Sequence, residues 1–359
     1  MISKIMGFFV QIQVTGAFNQ DMNEKGLVEG LKNLIDHVKD KNVVFITTKN
    51  IDYIRNSQEL KILKENAKHV DKIYSKSKSY PVRILQVWLK ILLRGFGKYD
   101  TVFVGFSPQL IMPIWWWKFK KNTVVIDFFI SVYDTMAFDR KKVTPKSMAG
   151  RFCKWIDCRT IKNANHIIAD TKAHGKYFSS EFGADMNTIE VLYIVADDKI
   201  YYRRPQKKKK EDEGKFVVVY FGSILPLQGI DVIIKAAAKL KNRDDIKFYI
   251  VGPVKDEKVP ENVVNIPWLS QKELAEYIAM SDLCLAGHFN KHNNKANRTI
   301  PGKAYIYELM GRPMILGDNP ATHELFEEDG KHFFVEMSNP QALADKIAEL
   351  ADKAKKTGE

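Results

Sequence analysis

The sequence predicts an α/β protein built from two doubly wound domains with parallel sheets. Three observations carry this. Short β-branched or aromatic runs alternate with amphipathic segments along the whole chain. The alternation falls into two series of roughly 200 and 150 residues, each long enough to bury one Rossmann-like sheet. Between them lies Arg203-Arg204-Pro205-Gln206, then Lys207–Lys210 and Glu211-Asp212-Glu213-Gly214. That stretch has no apolar period and reads as exposed linker. The domains expected are 1–204, 205–339, and a closing helix at 340–359 that can pack back toward the first.

The strands expected in the first series are Ile5–Val10, Val43–Thr47, Lys72–Tyr74, Thr101–Val104, Thr123–Ile126, His166–Ala169 and Thr188–Val191. Amphipathic segments such as 21–38, 82–94 and 171–182 separate them. In the second series they are Phe216–Phe221, Lys247–Val251, Val263–Asn265, Leu283–Leu285, Pro313–Leu316 and His332–Val335. Helical segments there are 229–241, 271–280, 302–311 and 340–355.

A chain of 359 residues that is 45% hydrophobic and 28% charged is globular in type. Cys153, Cys158 and Cys284 are too few for a disulfide framework and not spaced as zinc ligands, so a reducing compartment is expected. The apolar run Ile5–Val10 is short, contains Gly7 and is followed by Gln11 and Gln13; it reads as a strand, not a signal peptide. Leu110–Trp117 contains Pro113 and falls well short of a membrane span.

The net charge of +13 lies wholly in the first half. Residues 1–205 hold 33 Lys and Arg against 20 Asp and Glu, while 206–359 hold 23 of each. Within 61–98, ten basic residues face only Glu65 and Asp71. Such a block suits a polyanion such as lipid headgroups or a phosphorylated substrate, or is simply a solvated lysine-rich surface. None of the usual nucleic-acid modules is present, so a nucleic-acid partner is not expected.

Three strand–loop–helix units can carry chemistry. In Val14-Thr15-Gly16-Ala17-Phe18-Asn19-Gln20-Asp21, Gly16 lets backbone approach a ligand at a helix start, or makes an ordinary tight turn. In Tyr220-Phe221-Gly222-Ser223-Ile224-Leu225-Pro226-Leu227-Gln228-Gly229, Gly222 ends a strand and Gly229 opens a helix whose positive end can face a diphosphate. The spacing is not the GxGxxG fingerprint, so it does not indicate NAD. In Asn297 to Pro313, Pro301 suits a helix start and Gly311 a helix end. Arg298 and Lys303 flank that start, so an anion there would meet amides and two cations. A merely capped helix with solvent-facing basic residues fits too.

These residues resemble the family 4 retaining glycosyltransferases of capsule, O-antigen and exopolysaccharide synthesis. The resemblance rests on Gly222-Ser223 through Gln228-Gly229, Ile250-Val251-Gly252-Pro253, Ser281-Asp282-Leu283-Cys284-Leu285 and Ile300-Pro301-Gly302-Lys303 to Gly311-Arg312-Pro313, with Asp127–Asp139, Ala169-Asp170-Thr171 and Ala196-Asp197-Asp198 in the first half. It implies the GT-B fold, two Rossmann-like domains facing across a cleft, with a nucleotide sugar bound by the second. From these loops and the resemblance together, the candidate donor residues are Gly16, Gly222, Ser223, Gln228, Gly252, Arg298, Gly302, Lys303 and Glu308. The resemblance implies no cofactor and no metal. Asp127 and Asp134 are the candidates to orient or deprotonate the acceptor hydroxyl, and either also suits a turn cap.

The chain departs from the family pattern. Many members carry Arg and Lys where Ser223 and Gln228 stand, and two glutamates where Arg298 and Ile306 stand. Glu308 is offset by two residues. A degenerate GT-B scaffold or activator is therefore the alternative to an enzyme.

Residues 80–98 combine a basic stripe, Arg83, Lys90, Arg94 and Lys98, with many apolar residues. Trp115, Trp116 and Trp117 stand beside Lys118, Lys120 and Lys121. Together these suit an anionic membrane interface, with Arg83, Lys90, Arg94, Trp115, Trp116 and Lys118 as its contacts, or two packed core helices. A polyprenyl-diphosphate-linked saccharide acceptor and a cytoplasmic protein on the inner face of the plasma membrane follow from the first of these. His288 and His292 lie in a polar loop and read as donor-loop residues rather than metal ligands.

Overall fold

The computed structural model describes residues 33–254 and 259–358. The strand expected at Ile5–Val10, the loop with Gly16 and the start of the helix expected at 21–38 lie outside them. The described chain divides into two compact units at Val195/Ala196.

The first unit holds β1 (Asn42–Ile46), α1 (Ile54–Asn66), β2 (His69–Ile73), α2 (Tyr80–Leu93), β3 (Thr101–Val104), β4 (Thr123–Asp127), α3 (Met148–Lys162), β5 (His166–Ala169), α4 (Lys172–Phe182) and β6 (Ile189–Val191). Among the described residues its sheet runs β2-β1-β3-β4-β5-β6, all parallel. The middle strands are β-branched or aromatic and buried on both faces, as helices on either side require. Its core gathers Val44, Val102, Ile126, Ile167, Phe119 and Phe178.

The second unit holds β7 (Phe216–Phe221), α5 (Ile230–Lys239), β8 (Ile246–Val251), β9 (Val263–Ile266), α6 (Gln271–Met280), β10 (Leu283–Leu285), α7 (Gly302–Leu309), β11 (Met314–Gly317), β12 (His332–Val335) and α8 (Pro340–Thr357). The order β12-β11-β10-β7-β8-β9, again parallel, reverses direction between β7 and β10. Ligands of such sheets bind at the carboxyl ends of the strands flanking that reversal. Ser270 and Glu273 form a capping box at the start of α6, and Asn339 caps α8.

Two expectations change here. The boundary lies nine residues earlier than 205, because 196–212 is fastened to the second unit: Arg204 pairs with Glu276, Lys208 with Asp282 at 2.7 Å, and Asp212 with Lys247 at 2.6 Å. These pairs anchor the stretch at three points, while Lys207, Lys209, Lys210, Glu211 and Glu213 between and beside them are exposed as expected. Likewise α8 buries Leu343, Ala344, Ile347 and Ala351 in the second unit's own core, beside Val232, Ile233 and Ala236 of α5.

Leu343→Ala should therefore weaken the second unit alone, by about 2–5 kcal/mol for a buried leucine. In calorimetry one unfolding transition should move down and the other stay.

Candidate functional site

At the β7/β10 reversal the second unit presents a buried amine. Lys303 is the second residue of α7, which follows Pro301 at the helix start. Its side chain runs back under the strand ends and is 6% exposed. The Nζ donates to Gln228 Oε1 at 2.5 Å and lies over the Tyr220 ring at 5.1 Å. Among the described residues no carboxylate pairs with it. Burial alone pushes its ammonium from 10.5 down to about 7.

Two glycines make room for that amine. Gly222 ends β7 at φ 146°, and Gly287 follows β10 at φ 84°. A Cβ on either would stand 3.3 or 3.2 Å from Lys303 Nζ, and on Gly287 also 2.6 Å from Gln228 Oε1. Positive φ alone favours glycine at both positions. Tyr220 lies 2% exposed, and its hydroxyl has no hydrogen-bond partner among the described residues. The site thus offers a cation without a counter-charge and a buried hydroxyl, beside the amino end of α7. That set is chemically suited to an oxyanion.

The structure brings Gly222, Gln228, Lys303 and, beside Gly222, Gly252 together. Gly302 opens α7, and Ser223 is exposed on the loop after Gly222. Arg298 closes the short 3₁₀ turn Asn294–Asn297 that leads to α7. Gly16 lies outside the described residues. Glu308 is not with them: its carboxylate accepts from His332 Nε2 at 2.7 Å, and Asp329 holds the other ring nitrogen at 3.1 Å. Five residues separate Glu308 from Lys303, which turns the two onto different faces of a helix. His288 is buried with Nδ1 3.0 Å from Thr299 O, and His292 is exposed. Tyr220 and Gly287 were not anticipated. Their signal was available in Ala286-Gly287 directly after a strand.

Asp127 and Asp134 do not stand ready as bases. Both are buried. Asp127 takes a bidentate bond from Arg55, Nε to Oδ2 at 3.1 Å and Nη2 to Oδ1 at 2.9 Å, while Arg55 also donates to Leu192 O. Glu59 lies 3.6 Å from Arg55, and burial and the Asp127 charge push its carboxyl well up. Asp134 receives Tyr177 Oη at 3.5 Å. Asp157, held by Ser131, Gln109 and two backbone amides, fixes the loop between them, and burial raises it to about 6. Both carboxylates are thus enclosed within the first unit.

The basic stripe along α2 is only partly buried: Lys90 and Lys98 are exposed and Arg94 is half-buried. Arg83 is buried and donates twice to Ser77 O; Lys90 donates to Tyr74 O; Arg94 and Lys98 share Asp71. Lys118 caps α2 by donating to Ile91 O and Leu92 O. Trp115 packs edge-on against Trp88, and Trp116 carries Lys120 and Arg159 over its ring. The face of α2 left outward is apolar: Val82, Leu85, Leu89, Leu92 and Leu93, the last 84% exposed. α3 does the same with Met148, Phe152 and Trp155, and Phe152 and Trp155 stack at 5.7 Å. Among the described residues no helix is long and apolar enough to cross a membrane.

Residues 215–353, which include all of this second-unit site, match the model of the family described as Glycosyl transferases group 1. A D-inositol 3-phosphate glycosyltransferase of Pseudarthrobacter chlorophenolicus is 24% identical over 152 residues, 37% of this chain and 36% of its own length. One from Paenarthrobacter aurescens is 22% identical over 213 residues, 54% of this chain and 50% of its own. The chain thus spans half or less of these curated relatives. HepE of Anabaena, solved with UDP, superposes with a TM-score of 0.58 at 13% identity over 88% of this chain and 91% of that one. Sucrose-phosphate synthase of Thermosynechococcus elongatus gives 0.59 at 12% identity over 87% and 90%. Two six-stranded parallel sheets and these neighbours define the GT-B fold.

A buried amine with a lowered pKa costs stability below about pH 7, and the penalty fades as pH rises toward 10.5, where the unfolded chain also loses the proton. Lys303→Met should raise the Tm of the second unit at pH 6, by about 2–4 °C for each 1 kcal/mol relieved. The gain should shrink steadily toward pH 10.

Proposed function

We propose that this chain is a family 4 retaining glycosyltransferase that moves a sugar from a nucleotide-sugar donor to a lipid-linked saccharide in surface polysaccharide synthesis. Lys303 carries the reading: a buried amine without a counter-charge at the ligand-binding edge of a doubly wound sheet. Its natural complement is the donor diphosphate. The group 1 match and the UDP bound by HepE make uridine nucleotide sugars the first donors to try.

In the transfer, the bond from the anomeric carbon to the diphosphate oxygen breaks and its electron pair stays on the leaving oxygen. The acceptor oxygen forms the new bond to that carbon and gives up its proton. Lys303, bound as ammonium, and the first amides of α7 are already aimed where that charge grows, so they stabilise the transition state more than the ground state. Arg298 is a second cation leading into the same helix. With this charge set the reaction needs no metal, and EDTA should leave the rate unchanged.

The test is a donor-hydrolysis and transfer assay over a panel of nucleotide sugars, with the product anomer read by NMR. Lys303→Ala should lose about tenfold or more in donor affinity or turnover. Binding should also take up a proton at Lys303. Donor affinity should therefore fall about tenfold for each pH unit above about 7, and Lys303→Met should lose that dependence. A specific observation favours the alternative, a GT-B scaffold or activator: Glu308 is engaged by His332, and no described carboxylate stands by Lys303. Donor binding without any turnover across the panel would select it.

The acceptor is assigned to a lipid because of the first unit's outward apolar faces. The segments 79–99, 101–126 and 140–156, which include α2 and most of α3, contain no Asp or Glu. Exposed leucine and tryptophan with flanking lysines and no acid fit an anionic bilayer. The protein would then work at the cytoplasmic, inner face of the plasma membrane. Leu85→Glu with Leu89→Glu should abolish co-sedimentation with anionic vesicles and leave hydrolysis of soluble donor intact. Retained sedimentation would remove α2 from the interface.

A further inference from the structure

Away from the candidate donor site, the first unit gathers three metal-binding side chains from separate elements. His37 lies on the helical residues 33–38, His166 is the first residue of β5, and Glu190 is central in β6. The parallel register pairs Ile168 with Glu190, so His166, two residues before Ile168, shares a sheet face with Glu190. His37 Nε2 stands 2.5 Å and His166 Nδ1 3.7 Å from Glu190 Oε1. The imidazoles stack with centroids 3.4 Å apart, and one ligand atom from each residue lies within 4.8 Å of the other two.

Hydrogen bonding alone leaves this cluster incomplete. Glu190 is 7% exposed, yet its Oε2 is buried without a partner among the described residues. His166 is too far from Oε1 to share a proton well. An imidazole binds metal through a ring nitrogen that carries no proton. Asp36 adds negative charge nearby, and Lys41 opposes it.

We propose that His37, His166 and Glu190 form a site for a borderline divalent ion of the zinc class that ties the helical residues 33–38 to the β5–β6 edge. Bonds of about 2.0–2.2 Å in tetrahedral array put ligand atoms roughly 3.3–3.5 Å apart. The observed separations of 2.5 and 3.7 Å bracket that value, and the rings, about a quarter exposed, leave a fourth position to water. The cluster sits at the amino end of β5, opposite the edge where such sheets bind substrates. The ion's role is therefore structural, and the proposal stands apart from the transferase reading.

The test uses the full chain without a histidine tag, stripped with a chelator and dialysed. Zn²⁺ is titrated against a chromophoric competitor at pH 7.5, and Co²⁺ is added as a spectroscopic probe. One equivalent should bind, the Tm should rise with free Zn²⁺ by mass action, and Co²⁺ should give visible absorption of a four-coordinate site. Glu190→Gln, which keeps the size and polarity of the side chain, and His166→Asn should each lose at least about 100-fold in affinity, with circular dichroism confirming the fold. His292→Asn should change nothing. No stoichiometric binding by the folded wild-type chain overturns the proposal. So does binding that survives both substitutions, or that His292→Asn removes.

Discussion

The second unit is organised around one unfavourable fact, the burial of Lys303 without an opposing charge. A lysine ammonium is costly to remove from water, and here only Gln228 answers it. Among the described residues no carboxylate stands beside it. Gly222 and Gly287 keep space at the Nζ, at the price of two positive-φ turns. The Tyr220 hydroxyl beneath likewise has no partner among the described residues. A chain selected for stability alone would place Met or Leu at 303. The arrangement makes sense as a half-site whose other half is an anion. Binding such an anion restores the missing charge and hydrogen bonds together.

The first unit shows the opposite solution at its own strand ends. Asp127 closes β4 where an acceptor-activating group was expected, but the side chain is satisfied inside the protein by Arg55. Arg55 is held in turn by Leu192 O, so α1, β4 and the end of β6 converge on one buried ion pair. Glu59 lies buried beside this pair, its carboxyl pushed well up by burial and the Asp127 charge. Removing either partner of a buried pair strands a charge, so Arg55 and Asp127 hold these three elements to one geometry.

Most of the fold was legible because parallel strands announce themselves. Thr101–Val104, His166–Ala169, Phe216–Phe221, Leu283–Leu285 and His332–Val335 are apolar runs whose ends are set by turn residues, and they fall where the alternation puts them. Lys303 was legible as a residue beside a helix start. Its burial was not, since a lysine in sequence defaults to solvent. Within the α2 stripe only Arg83 is buried, donating to Ser77 O; Lys90 and Lys98 stay exposed while Tyr74 O and Asp71 accept from them, and Arg94, half-buried, shares Asp71. Those acceptors are loop carbonyls and a strand residue, which no helical periodicity reveals. Glu308 was misread similarly: its partner His332 lies 24 residues on, in β12.

α2 sets exposed apolar side chains beside its basic stripe. With the stripe folded onto Asp71 and backbone carbonyls, its charge lies close to the surface but is partly spent locally. The outward face is Leu85, Leu89, Leu92 and Leu93, and apolar contact of that kind is not screened by salt. On the proposed docking to an anionic bilayer, long-range charge and short-range apolar burial would divide the work: the acid-free segments would raise the encounter rate, and the leucines would set how long the contact lasts. Salt should slow arrival far more than it hastens departure. A purely electrostatic patch would respond the other way, losing retention as well as encounter.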